Sequence, residues 1–348
     1  MKFIVLAYHH INYEKRPDCV SPGNFESHLK ILLEKGFKPR HLNEIIASPH
    51  DKDLSITFDD GYLDNWVYAF PLLKKYSIKA TIFISTGRIC LEAPSPRYNL
   101  EDVWTKKIKK KELPLIESHF NINTKSFDEK DSKEGFLSWE EIKFMAESGL
   151  VDIQSHGASH KMIFASPEIT DYNKGQYWWI KGATGGDSRN GIPVYQHRSA
   201  IAARKFCDDI KIRNLLAGHV NSRGEMDFFK KNSWKKELDT TLMEFLEGKN
   251  LHGVWEPEEE FKERLKYEID LSRKTIEQKL EKECSIFCYP WGEYETFTVD
   301  RLKNAGYRAA ATFNSGANND ETSPFSLNRI PVLNWNSKKF VKEISSFS

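Results

Sequence analysis

Two short stretches of the 348-residue chain combine residue types that can bind a metal ion and activate water. Asp59 and Asp60 follow the apolar run at residues 54–58. Two neighbouring carboxylates repel each other, so the pKa of one of them rises unless a cation lies nearby. A metal ion resolves this conflict, because one Asp binds it and the other stays free as a base. The structural alternative is that one Asp caps the following helix and the other is solvated.

The second stretch contains His156 and His160, which are four residues apart. On a helical turn, residues at positions i and i+4 lie on one face, so both imidazoles could reach a single ion. Two imidazoles suit zinc and similar metals, and Asp60 would be the third ligand, which leaves one coordination position open. The alternative is an exposed polar pair with no ligand.

Alternating strand and helix patterns predict the elements that must position these residues. They favour an α/β fold with a parallel sheet, and their number favours a barrel over an open sheet. In such barrels, functional side chains gather at the carboxyl ends of the strands, and His9, Asp59 and His156 each follow a predicted strand directly. The predicted strands are residues 3–8, 54–58, 80–85, 151–155, 285–289, 309–313 and 330–333. The predicted helices are residues 24–35, 63–76, 138–149, 257–282 and 299–305.

Two stretches interrupt this alternation, and we interpret residues 1–348 as one catalytic domain that carries two insertions. Residues 91–136 are rich in Lys, Glu, Pro and Ser, and residues 165–255 are rich in Gly, Trp and polar residues. The second insertion is long enough to form a cap over the active face. Its consecutive aromatic residues at 177–179 could line a sugar site or form the insertion's own core.

Charge and cysteine usage exclude several classes of partner and site. The chain has 51 Lys and Arg against 50 Asp and Glu, a net charge of +1, so we expect no nucleic-acid partner. Its five cysteines are odd in number and scattered, which argues against a disulfide framework.

The opening apolar run is too short for a signal peptide, and no segment is long enough to span a membrane. These features predict a cytoplasmic protein with no transmembrane segment.

Three motifs resemble those of the polysaccharide deacetylases, carbohydrate esterase family 4, which share the NodB-homology domain. They are TFDDGY from Thr57, SHGASH from Ser155 and CYPWG from Cys288. The stretches AYHHI, EIDLSRKTIEQKL and NRIPV are also similar to that family. The resemblance implies a distorted (β/α) barrel of seven or eight strands. It also implies a hydrolase with one divalent metal ion, zinc by default, with cobalt, nickel or iron as alternatives.

The resemblance also implies roles for individual residues. Asp59 matches the general base that activates water, and Asp60, His156 and His160 match the metal ligands. The third motif places Tyr289, Pro290 and Trp291 in the substrate site, where the backbone N–H of Trp291 would help to bind the oxyanion.

The sequence departs from the family pattern at three points. Lys161 stands after the second His, where the family usually has Pro. Cys288 stands where many members have an Arg that steadies the catalytic Asp, and we expect Arg329 in NRIPV to replace that Arg. The late His that serves as general acid is missing, since no His follows His252. The acid would then be His9 or one of two histidines of the second insertion. These two are His197 and His219.

Three functions compete at this point. The first is removal of an N-acetyl group from a sugar in cell-surface polysaccharide or glycan-intermediate metabolism. The second is a deformylase or O-deacetylase acting on a lipid-linked or nucleotide-linked sugar. The third is a non-catalytic glycan-binding module that has kept the fold. In each case the partner is an N-acylated sugar or glycan, and a lipid-linked substrate would be met at the membrane surface.

Overall fold

The computed structural model of the chain describes residues 2–91, 96–116, 133–247 and 253–346. Residues 92–95 and 117–132 of the predicted first insertion therefore lie outside the described residues. The strands are β1 Ile4–Tyr8, β2 His10–Ile11, β3 Cys19–Val20, β4 Lys38–Pro39, β5 Asp53–Phe58, β6 Ala80–Ile84, β7 Val151–Ser155, β8 Met162–Tyr172, β9 Pro193–Ser199, β10 Phe206–Cys207, β11 Val254–Trp255, β12 Ile286–Cys288, β13 Ala309–Ala311 and β14 Ile330–Pro331.

The α-helices surround this sheet and fill the second insertion. They are α1 Pro22–Glu34, α2 Leu42–Ala47, α3 Phe70–Tyr76, α4 Leu100–Trp104, α5 Trp139–Glu147, α6 Ile180–Thr184, α7 Ile210–Ser222, α8 Trp234–Leu246, α9 Glu258–Leu265, α10 Ser272–Leu280, α11 Thr296–Asn304 and α12 Ser337–Ser345. Two π-helical segments, Asn65–Ala69 and Lys266–Leu271, interrupt the predicted helices at 63–76 and 257–282. Such segments are frequent at functional sites.

A curled parallel sheet forms the centre of the fold. Its strands run in the order β13-β12-β7-β6-β5-β1-β14, and β4 pairs with β5 outside this path. Leu327, just before β14, also forms a bridge with Ala311 of β13, which draws the two ends of the sheet together. The predicted α/β fold with a distorted barrel of seven or eight strands is therefore confirmed.

The strands of this sheet are buried on both faces because side chains alternate between two hydrophobic clusters. Leu6 and Ile56 belong to a large cluster shared with the surrounding helices. Val5 and Phe83 belong to a smaller cluster, which also includes Leu42 and Ile45 of α2. Such double burial is typical of parallel strands covered by helices. It fixes the register of the strands, and with it the position of the residues that follow them.

Local sequence signals define several helix starts. Ser21 caps α1 by accepting a hydrogen bond from the backbone N–H of Asn24, and Pro22 occupies the first helical position. Ser138 and Glu141 form the predicted capping box at the start of α5.

The second insertion builds its own layer beside the barrel. Strands β8 and β9 pair antiparallel, outside the main sheet. Helices α6, α7 and α8 pack around this hairpin with two hydrophobic clusters of their own. Throughout the described ranges, we find no helix long and apolar enough to cross a membrane.

Candidate active site

Asp59 and Asp60 follow β5 at its carboxyl end, and both side chains are buried. Neighbouring residues of a strand point to opposite sides, so the chain must turn for both to reach one site. Asp60 makes this turn in the left-handed region, with φ of 72°, and Gly61 follows with φ of 78°. A Cβ atom at Gly61 would lie 3.1 Å from Ile84 Cγ2, so the turn has little room for a larger residue.

Asp60, His156 and His160 converge on one point. Asp60 Oδ1 lies 3.6 Å from His156 Nε2 and 3.2 Å from His160 Nε2, and all three side chains are buried. Ligands of a tetrahedral zinc ion at about 2.0–2.1 Å lie about 3.3 Å from one another, so these atoms fit a single ion. Asp60 Oδ1 also has no hydrogen-bond partner within the described structure, which suits a metal ligand. One carboxylate and two imidazoles thus form a suitable donor set for a divalent cation.

The expectation of a helical turn at the two histidines is wrong. Residues 156–161 form a loop between β7 and β8. His160 has a φ of 54° and Gly157 a φ of 79°, and these left-handed residues fold the loop so that both imidazoles face Asp60. The histidines therefore meet through loop geometry and not through helical periodicity.

Burial keeps both histidines neutral, as metal binding requires. It lowers the pKa of His160 to about 3 and also lowers the pKa of His156 below its ordinary value. His156 Nδ1 lies 2.8 Å from the backbone carbonyl oxygen of Cys288, within hydrogen-bonding distance. Donation from Nδ1 fixes the ring and leaves Nε2 to face Asp60.

Arg329 holds Asp59 through two parallel hydrogen bonds. Arg329 Nη1 donates to Asp59 Oδ1 at 2.7 Å, and Nη2 donates to Oδ2 at 2.8 Å, with both side chains fully buried. Burial alone would raise the pKa of Asp59, but the Arg329 guanidinium outweighs it and the pKa is lowered. Arg329 thus contacts Asp59, as we expected of the residue that replaces the missing Arg of the third motif. It also donates to Cys288 Sγ.

A second group of potential ligands overlaps the first. Asp59, His156 and Cys288 also place ligand atoms within 4.8 Å of one another. Burial raises the pKa of the Cys288 thiol well above its usual value, so the thiolate that a metal needs is disfavoured. The positively charged guanidinium of Arg329 is bonded to both oxygens of Asp59 and would repel a cation placed there. Asp60, His156 and His160 are therefore the better ligand set.

Of the three histidines considered as a general acid, only His9 adjoins Asp59. His9 Nε2 lies 3.8 Å from Asp59 Oδ2, its ring stacks on Phe313, and its side chain is 28% exposed. His197 packs against Trp179 in the second insertion. His219 pairs with Glu237, also in that insertion.

Some residues of the third motif lie in the core and one lies at the site. Tyr289 is fully buried, and its hydroxyl donates to the carbonyl oxygen of Phe325, so its side chain lies in the core and not at the site. Pro290 is also buried. Trp291 is partly exposed, and its ring centroid lies 4.9 Å from that of His160. Its φ of 63° places it in the left-handed region.

Comparisons with known proteins agree with this arrangement. The polysaccharide deacetylase family model matches residues 47–191, which include both carboxylates and both histidines of the site. The resemblance to the polysaccharide deacetylases that the three motifs predict is thus confirmed over this stretch of the chain. The proteins that it resembles belong to the enzyme class predicted from the sequence, the carbohydrate deacetylases among the hydrolases.

Three proteins illustrate what this chain is similar to. The Bacillus subtilis (strain 168) protein YxkH is 39% identical over 89 residues, which cover 24% of this chain and 32% of the relative. The poly-beta-1,6-N-acetyl-D-glucosamine N-deacetylase of Escherichia coli (strain K12) is 21% identical over 98% of this chain and 38% of its own length. The chain thus spans about a third of the length of these curated relatives. A de-N-acetylase structure from Aggregatibacter actinomycetemcomitans shares the fold, with a TM-score of 0.60, 17% identity and full coverage of both chains.

Glu268 holds the loop that carries His156 and His160, and the sequence analysis did not single it out. The buried Glu268 carboxylate accepts hydrogen bonds from the backbone N–H groups of Ala158 at 3.1 Å and Ser159 at 2.8 Å, and from the Ser159 hydroxyl. Ser272 adds a bond from its hydroxyl to the carbonyl oxygen of Gly157. Both residues lie in the stretch EIDLSRKTIEQKL, whose similarity to the family was the only signal available.

Arg88 is a second residue that the sequence analysis missed. It ends the short 3₁₀ turn Thr86–Arg88 that follows β6. Its Nη1 lies 3.9 Å from Asp60 Oδ1, and its Nη2 donates to the carbonyl oxygen of His160 at 3.3 Å. This cation helps to keep the Asp60 carboxylate ionised.

We predict that Glu268→Gln weakens binding of a divalent metal about tenfold. The amide of Gln would direct an N–H group at donors of the histidine loop, so the loop would lose the position that brings His160 to Asp60. Competition for Zn²⁺ against a chromophoric chelator measures the affinity. Glu263→Gln, an exposed change on the neighbouring helix α9, is the control and should bind as the parent does. Equal affinity in both variants would show that Glu268 does not position the ligands.

Proposed function

We propose that the protein hydrolyses an N-acetyl group on a sugar unit of a glycan. The observation that carries this proposal is the convergence of Asp60, His156 and His160 beside Asp59, a carboxylate that Arg329 holds in its ionised form. A non-catalytic glycan-binding module has no need of an ionised base next to a ligand set. The geometry therefore favours hydrolysis over binding alone.

We also propose that Asp60, His156 and His160 hold one divalent cation, with zinc as the default and cobalt, nickel or iron as alternatives. When bound, such a cation supplies Lewis-acid chemistry, which activates water and polarises the acyl carbonyl group. The neutral state of both imidazoles and the ionised state of Asp60 suit this role.

Asp59 would act as the general base. It would accept a proton from the attacking water, since its carboxylate is ionised and lies next to the ligand cluster. Arg329 would keep this carboxylate oriented without taking its proton, because an arginine stays charged at all ordinary pH values. The backbone N–H of Trp291 would donate to the oxyanion that develops on the acyl oxygen.

His9 would act as the general acid. Amide hydrolysis releases an amine, which is a poor leaving group until it gains a proton. His9 adjoins Asp59, and its partly exposed ring could regain its proton from solvent after each turnover. His9, near the start of the chain, would then take the role of the late His that the family pattern has near the end.

The name of the Escherichia coli relative supports a polymer of N-acetylglucosamine as the substrate. A lipid-linked or nucleotide-linked sugar, an O-acetyl ester and a formyl amide remain alternatives that the same residues could hydrolyse. The cytoplasmic location expected from the opening residues also stays a prediction.

We predict that the metal-loaded protein releases acetate from β-1,6-linked N-acetylglucosamine oligosaccharides and that a chelator abolishes this release. Returning Zn²⁺, Co²⁺, Ni²⁺ or Fe²⁺ should restore it and rank the metals. Asp59→Asn should lower kcat about 10²–10⁴-fold, because it removes the base while the metal content is unchanged. An enzymatic acetate assay and metal analysis measure both quantities.

Asp300→Asn, an exposed change on α11, is the matched control and should leave the rate unaltered. Parallel assays with formylated, O-acetylated, lipid-linked and nucleotide-linked sugars test the alternatives. Binding of the oligosaccharide without release of any acyl group from this panel would contradict hydrolysis and favour the binding module.

We predict that His9→Gln lowers kcat for acetate release about 10²–10⁴-fold and leaves KM and metal content close to those of the parent. The amide of Gln can keep a hydrogen bond but cannot deliver a proton. His50→Gln is the matched control, since His50 is exposed and precedes β5 at the end of the strand opposite to Asp59. Full activity of the His9 variant in steady-state kinetics would exclude this histidine as the acid.

A further inference from the structure

The three consecutive aromatic residues of the second insertion have different surroundings. The ring of Trp179 lies 4.3 Å from that of His197, within the insertion. The hydroxyl of Tyr177 donates to Asp171 at 2.7 Å, again within the insertion. These two residues therefore support the insertion itself, in line with the interpretation that the aromatic residues form its core.

Trp178 lies instead against the proposed active site. Its ring centroid is 5.7 Å from that of Trp291, whose ring in turn lies 4.9 Å from His160. The Arg88 guanidinium is 6.0 Å from the Trp178 ring, and the same side chain approaches Asp60. Trp178 thus adjoins two residues that each contact a proposed metal ligand.

Hydrogen bonds join the insertion that carries Trp178 to the barrel. The backbone N–H of Ser199, at the end of β9, donates to Glu293 at 2.7 Å, directly after the third motif. The Thr298 hydroxyl of α11 donates to the carbonyl oxygen of Ile201 at 2.6 Å. The insertion is thus attached to the barrel near the third motif, whose Trp291 is in ring contact with Trp178.

We infer that Trp178 forms a sugar-binding subsite of the active site, contributed by the insertion at 165–255 acting as a cap. This inference rests on the proposed function and deepens it. Trp178 and Trp291 are both partly exposed, and their rings are tilted by 33° from each other. A flat, partly exposed indole offers a large apolar surface, which suits the apolar face of a pyranose.

The sugar that stacks on Trp178 is the unit next to the reacting one. The reacting acyl group must reach Asp60, His156 and His160, whereas Trp178 contacts Trp291 and Arg88, the residues that lie beside these ligands. A single sugar whose acyl group lies at the ligands would therefore contact Trp291 first. Trp178 is reached by a chain of at least two sugar units, so the substrate class is an oligosaccharide or polysaccharide.

The test compares the affinity for a long and a short ligand. In the Asp59→Asn background, which slows turnover, calorimetry measures Kd for the β-1,6-linked N-acetylglucosamine trisaccharide and for the N-acetylglucosamine monosaccharide. Adding Trp178→Ala should raise Kd of the trisaccharide about tenfold and leave Kd of the monosaccharide unchanged. Trp178→Phe, which keeps a flat ring, should recover most of the lost affinity.

Trp255→Ala is the matched control, because Trp255 is a partly exposed indole in the same insertion, at β11. It should bind the trisaccharide as the parent does. Thermal unfolding reports whether each variant is folded, and Trp178→Leu replaces the Ala variant if that one does not fold. An unchanged trisaccharide Kd, or an equal loss for the monosaccharide, would overturn the subsite.

The outcome for this subsite is separate from the outcome for hydrolysis. Wild-type acetate release tests hydrolysis, while the Kd ratio of the Trp178 variants tests the subsite. If the wild type releases no acyl group and Trp178→Ala still weakens trisaccharide binding, the proposed hydrolysis fails and the glycan subsite stands.

Discussion

The structure depends on the need to neutralise two adjacent buried carboxylates. Asp59 and Asp60 are neighbours in sequence, and burial disfavours the charge of each. Arg329 neutralises Asp59 through two hydrogen bonds. Asp60 faces two imidazoles instead, with Arg88 nearby. The two carboxylates thus acquire different partners, and this difference separates the proposed base from the proposed metal ligand.

Backbone strain is also present at this site. Asp60, His160 and Trp291 are non-glycine residues in the left-handed region, which costs of order 1–3 kcal/mol each and persists only where surrounding structure imposes it. For the histidine loop, the surrounding structure is Glu268, whose carboxylate accepts its backbone N–H groups. The stability of the barrel is therefore used to hold three residues in conformations that an isolated loop would avoid.

The sequence predicted the strands and helices better than the contacts between residues that are far apart in the chain. Strand 151–155 and the capping box at Ser138 follow from local patterns, and both are observed as predicted. The loop at the two histidines was predicted as a helical turn because i, i+4 spacing is the local signal. Its actual shape depends on Glu268, more than a hundred residues away in the chain. A contact of that range leaves no periodic pattern in a single sequence.

The site shows the same division between local and long-range information. Residue type and family resemblance identified Asp59, Asp60, His156, His160 and Arg329, and the structure brings these five side chains together. The different positions of Trp178 and Trp179 could not be predicted, since neighbouring aromatic residues look alike in sequence. In the structure, Trp178 contacts Trp291 beside the site, whereas Trp179 contacts His197 within the insertion.

X-ray absorption spectroscopy of the zinc-loaded protein tests the central claim most directly, because two overlapping ligand sets are present in the site. If Asp60, His156 and His160 hold the ion, the zinc edge should show only nitrogen and oxygen neighbours, at about 2.0–2.2 Å. A sulfur neighbour at about 2.3 Å would place the ion on Cys288 and contradict the separation of base and ligand described here.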